Sequence, residues 1–343
     1  MRAVVITKHG GPEVLEVQDM PDPPVGPGEV RIAVKAAGIN FADTVARQGL
    51  YPDAPKLPCV VGYEVGGEVE SVGEGVTEHQ VGDRVLAGTR FNGYAELVTV
   101  RSDMAYPLSK KLSFEQGAAF PVNYATAQAG LVVMGGLEAG ERVLIHSAGG
   151  GVGISATQIA KNRGAEVFGT ASASKHDAIR EQGVDHPIDY RSQDFAEEVM
   201  RITDGEGVDV VFDALGPTSA RKGYRILRQG GRLIIYGASE VSTGETRNLF
   251  VAAKAAIKTP LATMPWWKSL FLMNENKGVF GLNMLSWWDR EGNLDRLTAP
   301  LMADLEAGRL EPVVAEAFPF DRAGEAHEFI AQRRNVGKVV LFP

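Results

Sequence analysis

The residues best suited to chemistry in this 343-residue chain are a run of glycines, HSAGGGVGISATQIAK at 146–161. The run follows a short apolar stretch, ERVLIH (141–146), that reads as a strand, and it opens a helical stretch at 153–164. Strand, glycine turn and helix in that order give the dinucleotide fingerprint its meaning. The spacing is Ala148-x-Gly150-x-x-Gly153, with alanine at the first glycine position. Gly150 would let the backbone approach a diphosphate, and Gly153 would let the helix lie close to the strand. Amides around Gly151 and Val152, at the positive end of the helix dipole, would face the anion. The plainer alternative is a tight turn with no ligand. The strands and helices that alternate downstream favour the dinucleotide.

A site for NAD usually carries an acid about 20 residues further on, at the end of the second strand, to bind the ribose 2′-hydroxyl. Here the segment TASASKH (170–176) has no acid; it offers Ser172 and Lys175. A hydroxyl and an ammonium attract a 2′-phosphate that a carboxylate would repel, so NADPH is the expected cofactor. Lys175 could equally be a solvated charge at a helix start. Tyr190 could stack on the adenine or pack on the surface.

Six histidines (9, 79, 146, 176, 186 and 327) and the single Cys59 form no metal-ligand spacing. A catalytic zinc needs about three protein ligands, and one cysteine allows neither a multi-cysteine site nor an internal disulfide. Cys59 reads as a small buried hydrophobe. Hydride chemistry is expected to proceed here without a Lewis-acid metal.

Two kinds of element must position these groups. Up to about residue 120 short strands alternate with Gly and Pro (1–6, 13–20, 29–40, 61–73, 82–88, 93–100), the pattern of an all-β, barrel-like unit. A helical stretch follows at 113–135. From 140 strands (141–146, 166–172, 208–216, 232–239) alternate with helices (153–164, 175–183, and one through 223–227), as in a parallel sheet covered on both faces. The tail adds a helix at 294–308, a strand at 312–320, a helix around 325–332 and a final strand, GKVVLFP. The expected fold is α/β: a β-rich unit built from both chain ends with an α/β unit inserted.

Composition narrows the function. With 44% apolar and 23% charged residues the chain is globular rather than disordered. A net charge of −8 argues against nucleic-acid binding. No apolar leader opens the sequence and no uncharged run approaches the ~18–20 residues of a membrane span. A soluble, cytoplasmic protein is expected.

The runs GINFADTVARQGLY (38–51), VGYEVGGEVESVGEGV (61–76), GDRV (82–85), AGGGVG (148–153) and NVGKVVLF (335–342) resemble the zinc-free quinone oxidoreductases of the medium-chain dehydrogenase/reductase superfamily. Further runs at 167–179, 186–190, 222–237 and 334–340 resemble its vesicle amine transport protein subgroup. The resemblance implies a GroES-like substrate domain over 1–123 and 290–343. It implies a doubly wound Rossmann cofactor domain over 124–289, a cleft between the two, and preference for NADPH. Zinc-binding superfamily members carry Gly-His-Glu where this chain has Gly62-Tyr63-Glu64, and a ligand cysteine where it has Asn40.

By the same resemblance Asn40, Asp43 and Tyr51 line the substrate side, with Asn40 and Tyr51 as the catalytic candidates. Asn40 would hydrogen-bond a developing oxyanion. Tyr51 would donate too, or deliver a proton if the site lowers its pKa. Thr126 matches the threonine beside the nicotinamide ribose. Tyr236-Gly237 and Phe280-Gly281 match backbone near the nicotinamide, and Asn335 and Lys338 match the loop that closes on the cofactor. Val45 departs from the tyrosine of several quinone reductases. The family dimerises through an edge strand, for which 277–285 is the candidate in a homodimer.

Residues 244–292 mix Arg247, Lys254, Lys258 and Lys268 with Trp266, Trp267 and Phe271. They could pack between domains or subunits, lid a pocket, or touch a membrane surface. Two functions of different class are open. One is an NADPH-dependent reductase of quinones or α,β-unsaturated carbonyls, with a 2-enoyl thioester reductase as the variant. The other is a non-catalytic lipid- or protein-contact scaffold on the same fold.

Overall fold

The computed structural model describes residues 1–240, 269–288 and 293–343. Among them, 1–122 and 312–343 form one compact unit, and 123–240, 269–288 and 293–311 a second.

The first unit runs β1 (Arg2–Ile6), β2 (Leu15–Asp19), β3 (Glu29–Ile39), α1 (Phe41–Arg47), β4 (Cys59–Val60), β5 (Glu64–Val72), β6 (Arg84–Gly88), β7 (Leu97–Arg101), β8 (Ala105–Pro107) and α2 (Phe114–Ala118). β1 lies between β2 and β4 in a small antiparallel sheet. β3 is the spine of the larger sheet. Val30, Ile32 and Val34 are buried at alternate positions, as one-sided burial requires, and from Ala36 on both faces are covered. One core joins the two sheets through Val4, Ile6, Ile32, Val65, Tyr94 and Leu341. Each large apolar side chain so buried contributes roughly 1.5–3 kcal/mol. The strand expected at 13–20 starts two residues late because Pro12–Val14 makes a 3-10 turn. The one expected at 61–73 starts only at Glu64, after Gly62 with φ +99°.

The second unit begins within α3 (Pro121–Ala127) and a π-helical turn, Gln128–Met134. The single helical stretch expected at 113–135 is therefore broken. Pro121 lacks the amide that would continue α2, so a new helix starts there. Then come β9 (Arg142–Ile145), α4 (Gly151–Asn162), β10 (Glu166–Ala171), α5 (His176–Glu181), β11 (His186–Asp189), α6 (Phe195–Ile202), β12 (Val208–Asp213), α7 (Pro217–Arg225), β13 (Leu227–Ile235), α8 (Ser269–Glu275), β14 (Gly278–Gly281), α9 (Met284–Trp288) and α10 (Asn293–Glu306). The six strands are parallel in the order β11-β10-β9-β12-β13-β14. This is a doubly wound sheet whose order reverses between β9 and β12, and ligands of such sheets bind beyond the strands' carboxyl ends at that point. All six residues of β12 are buried, its three valines and Phe212 together with Asp209 and Asp213.

Three expectations are corrected here. The strand at 277–285 is confined to Gly278–Gly281, and the Leu-rich end turns into α9. The strand at 232–239 begins at Leu227 and stops at Ile235. The return to the β-rich unit comes at 312, not 290. Helix α10 instead buries Leu297, Leu301 and Leu305 and lies against the π turn of the second unit.

The chain closes with β15 (Val314–Pro319), α11 (Ala323–Ala331) and β16 (Lys338–Phe342). β16 inserts between β15 and β3, pairing Val339 with Ile39 and Leu341 with Ala37. Most of the basic, Trp-rich stretch at 244–292, namely 244–268 and 289–292, lies outside the described residues. Among the described residues no helix is long and apolar enough to cross a membrane.

Candidate active site

The glycine turn is built against β10. The Ala148 amide donates to the Thr170 carbonyl at 3.0 Å, and Thr170 Oγ1 accepts from the Ser147 amide and contacts His146 Nδ1. Ser147 takes a left-handed φ of +55°, reversing the chain so that Gly150 can begin α4. No side chain caps α4 and no acid stands in its first turn. Its leading amides are thus free of the usual side-chain acceptor, the state that suits an anion. A Cβ on Gly153 would lie 2.2 Å from the Ser147 oxygen, and one on Gly151 2.5 Å from Asn123 Nδ2. Gly153 must be glycine for the turn to close, because it meets backbone, whereas at Gly151 the Asn123 side chain would have to move. These residues fit a dinucleotide diphosphate.

Ser172 stands at the end of β10 with its hydroxyl 3.2 Å from that of Ser174. The Lys175 stem lies over the turn, where a Cβ on Gly149 would meet Lys175 Cδ at 3.2 Å. The glycine turn and the Ser172/Lys175 segment are therefore one surface. Tyr190 is exposed just past β11, with Arg191 at 6.0 Å from its ring. At the neighbouring switch strand, Asp213 is buried and holds the loop beyond β12. It accepts from the amides of Leu215 and Gly216 and from Ser219 Oγ. Tyr236 stacks on Phe212 and is half-buried, and a Cβ on Gly237 would strike the Ala214 carbonyl. Thr126 is buried on α3, while Phe280 and Gly281 lie on edge strand β14 with Phe280 exposed.

In the first unit Asn40 caps α1. Asp43, three residues on, accepts from the Asn40 amide at 2.8 Å and completes a capping box. Asp43 also accepts from the Gly62 amide at 3.1 Å and from Tyr94 Oη at 2.9 Å. It is wholly buried, so the expectation that it lines the substrate side is corrected. Its short acid chain is spent on tying α1 to the start of β5. Burial pushes its pKa up to about 6, against the lowering effect of the bonds it accepts. The Tyr94 hydroxyl lies 3.4 Å from His327 Nε2, and burial keeps that imidazole neutral.

The Asn40 side chain is held at both ends. Its oxygen accepts from Lys338 Nζ at 2.7 Å and its nitrogen donates to Glu64 Oε1 at 3.1 Å. Ammonium on one side and carboxylate on the other fix which way the amide points. Lys338 pairs with Glu64, whose second oxygen accepts from the Val122 amide at 2.7 Å. Lys338 is therefore buried in this network, not a member of a loop that closes on a cofactor, and that expectation too is corrected. Asn335 donates to the Gly337 carbonyl.

Tyr51 is half-buried. Desolvation raises its pKa, with Asp53 adding to the rise, so it does not become the low-pKa acid that proton delivery asks for. Its ring meets Tyr63 edge to face at 6.5 Å, and Tyr63 leans on Phe91 at 5.1 Å. Glu64 and Tyr63 were not picked out as working residues from the sequence. Their signal was present: they stand in the Gly-x-Glu run at the metal-ligand position.

A family model described as alcohol dehydrogenase GroES-like domain matches residues 26–110, and one described as zinc-binding dehydrogenase matches 182–341. The human synaptic vesicle membrane protein VAT-1 homolog is 39% identical over 100% of this chain and 86% of its own length. The pig quinone oxidoreductase is 33% identical over 99% of this chain and 97% of its own. The chain belongs to the zinc-free quinone oxidoreductase family of the medium-chain dehydrogenase/reductase superfamily. The crystal structure of the Escherichia coli quinone oxidoreductase complexed with NADPH superposes with a TM-score of 0.85, at 29% identity and full coverage of both chains.

Membership raises the question of zinc, because the second matched model is named for it. The residues present do not fit the ion. The two acceptor groups at the ligand positions, the Asn40 oxygen and the Glu64 carboxylate, both receive the Lys338 ammonium. A dication placed there would face a buried positive charge. Tyr63, where zinc-binding members have histidine, offers a phenol that burial pushes far up in pKa and keeps neutral. In this chain the buried cation of Lys338 occupies the electrostatic place of a metal.

Proposed function

We propose that this chain is an NADPH-dependent reductase that passes hydride to a quinone or an α,β-unsaturated carbonyl compound. The observation that carries this is the uncapped start of α4 at a turn that only glycine can form, with Ser172 and Lys175 beside it and no acid at the end of β10. The named NADPH complex of the E. coli relative supports it. When bound, the reduced nicotinamide supplies the hydride. The chain's part is binding and orientation. The amides of Gly151, Val152 and Gly153 take the diphosphate, while Ser172 and Lys175 take the 2′-phosphate. Asn40 keeps one amide hydrogen beyond the one given to Glu64, and that N–H donates to the acceptor's carbonyl oxygen as negative charge builds there. The Tyr51 phenol stays protonated and donates to the same oxygen; water supplies the proton that completes reduction.

The test is loss of NADPH absorbance at 340 nm with 1,4-benzoquinones and cyclic or open-chain enones, against NADH as control. Turnover that prefers NADPH supports the reading. Tight NADPH binding with no turnover of either acceptor class refutes it.

A further inference from the structure

The Tyr63 hydroxyl is a buried polar group with no hydrogen bond of good geometry, though it bears on the Tyr51 phenol as a donor. Only 5% of the residue is exposed, and its phenol oxygen meets no partner in bonding geometry. Buried hydroxyls left in that state are rare and cost stability, so each calls for a cause. The surroundings supply one. The backbone of residues 89–94 is stitched to that of 60–63: the Thr89 amide donates to the Tyr63 carbonyl at 2.7 Å, the Tyr94 amide to Val61, and Thr89 Oγ1 to Gly62. Within this loop Phe91 and Asn92 both take left-handed backbone, φ +66° and +62°. Two consecutive non-glycine residues in that region carry strain, which persists only where surrounding structure enforces it. The consequence of the strain is Phe91 pressed against Tyr63, and Tyr63 against Tyr51. Three aromatic rings thus run from the buried loop outward to a half-buried phenol.

We propose that Tyr63 is a positioning residue for Tyr51, its hydroxyl donating to the Tyr51 phenol oxygen once the Tyr51 proton is engaged by the carbonyl oxygen of a bound acceptor. The inference rests on the acceptor class proposed above. The orphan hydroxyl is explained: it already bears on the Tyr51 oxygen as a donor, opposing the rise that burial gives the Tyr51 pKa, but the two oxygens fall short of good bonding geometry. Hydrogen bonds of this kind tighten only in the complex. A chain of two donors polarises, so the outer phenol becomes the stronger donor. The same contact explains a tyrosine at this position: a ring of that length reaches from β5 to Tyr51 while staying neutral throughout the working pH range.

Tyr63→Phe removes one oxygen and keeps the ring contacts. The expected result is a fall of about tenfold in kcat/KM for an enone, the worth of one hydrogen bond, with the Kd for NADPH unchanged and the melting temperature equal or raised, since a poorly bonded buried hydroxyl is removed. Tyr51→Phe lowers kcat/KM at least as far. Adding Tyr63→Phe to Tyr51→Phe changes nothing further, because Tyr63 acts only through that oxygen. Additive losses, or an unaltered Tyr63→Phe enzyme, overturn the proposal. A second readout needs no turnover. 4-(Dimethylamino)cinnamaldehyde absorbs further to the red when its carbonyl oxygen accepts hydrogen bonds. Bound to the wild-type protein it should shift to the red, less in Tyr63→Phe and least in Tyr51→Phe, where the Asn40 N–H is the remaining donor. No shift in the wild type, or equal shifts in wild type and Tyr63→Phe, overturns it. If the graded shift is seen but no enone is reduced, the reductase reading fails and the role of Tyr63 stands. If enones are reduced and Tyr63→Phe is silent, the reverse holds.

Discussion

Lys338 and Glu64 form an ion pair with 3% and 0% of their side chains exposed. Each opens a strand, β16 and β5, and both strands are neighbours of β3. The pair therefore fastens the C-terminal strand to the N-terminal sheet beside Asn40. Removing one member of a buried pair leaves a charge unpaired, at a cost of about 3–5 kcal/mol. Lys338→Met is expected to lower the urea midpoint by that equivalent, and Glu64→Gln with Lys338→Met to recover part of it by coupling. A midpoint unmoved by Lys338→Met would show that water reaches the pair.

Gly153 carries a second, purely steric prediction. A methyl group there would sit 2.2 Å from one backbone oxygen and 2.7 Å from the Ala148 Cα, with no flexible side chain to yield. The turn must open. Gly153→Ala should cost about 1–3 kcal/mol and weaken NADPH binding by at least tenfold in a calorimetric titration. Gly150→Ala is the milder control for stability, since its nearest protein contact is 3.3 Å. Equal losses of stability in the two variants would refute the geometry.

The parallel sheet and the glycine turn were legible because their causes are local. Runs such as VDVVFD are buried on both faces, and Gly150 and Gly153 of AGGGVG are constrained by Ser147 and Ala148, within a few residues. The failures have non-local causes. Asp43 looked available as a polar residue after Asn40, but its partners, Gly62 and Tyr94, are 19 and 51 residues away. Lys338 looked like a loop cation, and only the pairing of β16 beside β3 brings it to Glu64, 274 residues distant. Tyr63 read as the loss of a histidine; its bearing on Tyr51 depends on the backbone of Phe91 and Asn92, which no residue type announces. Helix α10 has the spacing of a buried stripe, but the sequence does not say which unit receives it.

Lys175 separates the phosphate-binding and structural readings of its segment. A reversed charge at that position would repel a 2′-phosphate and leave a free 2′-hydroxyl indifferent or better bound. Lys175→Glu is expected to raise KM for NADPH about tenfold or more and to change KM for NADH by less than threefold, seen in paired rate measurements at 340 nm. Parallel losses with both coenzymes would assign Lys175 to the fold of the turn alone.

Asp43 makes the stability of the protein depend on pH in an unusual direction. Burial raises its pKa from the ordinary 3.8 to about 6, outweighing the bonds from Asn40, Tyr94 and Gly62. The folded state thus holds this proton more tightly than the unfolded chain does. Its contribution is fully present below about pH 4 and is lost as pH rises through 6, the opposite of a salt-bridged carboxylate. A shift of this size corresponds to on the order of 3 kcal/mol. Asp43→Asn is neutral at every pH and lacks this dependence, while losing acceptor capacity at the α1 cap. The variant should be less stable than wild type at pH 4.5, with the gap narrowing toward pH 7, as read from denaturant midpoints across that range. A gap that is constant, or that widens with pH, would mean the carboxylate is already ionised in the folded protein and that the α1 cap is held by charge.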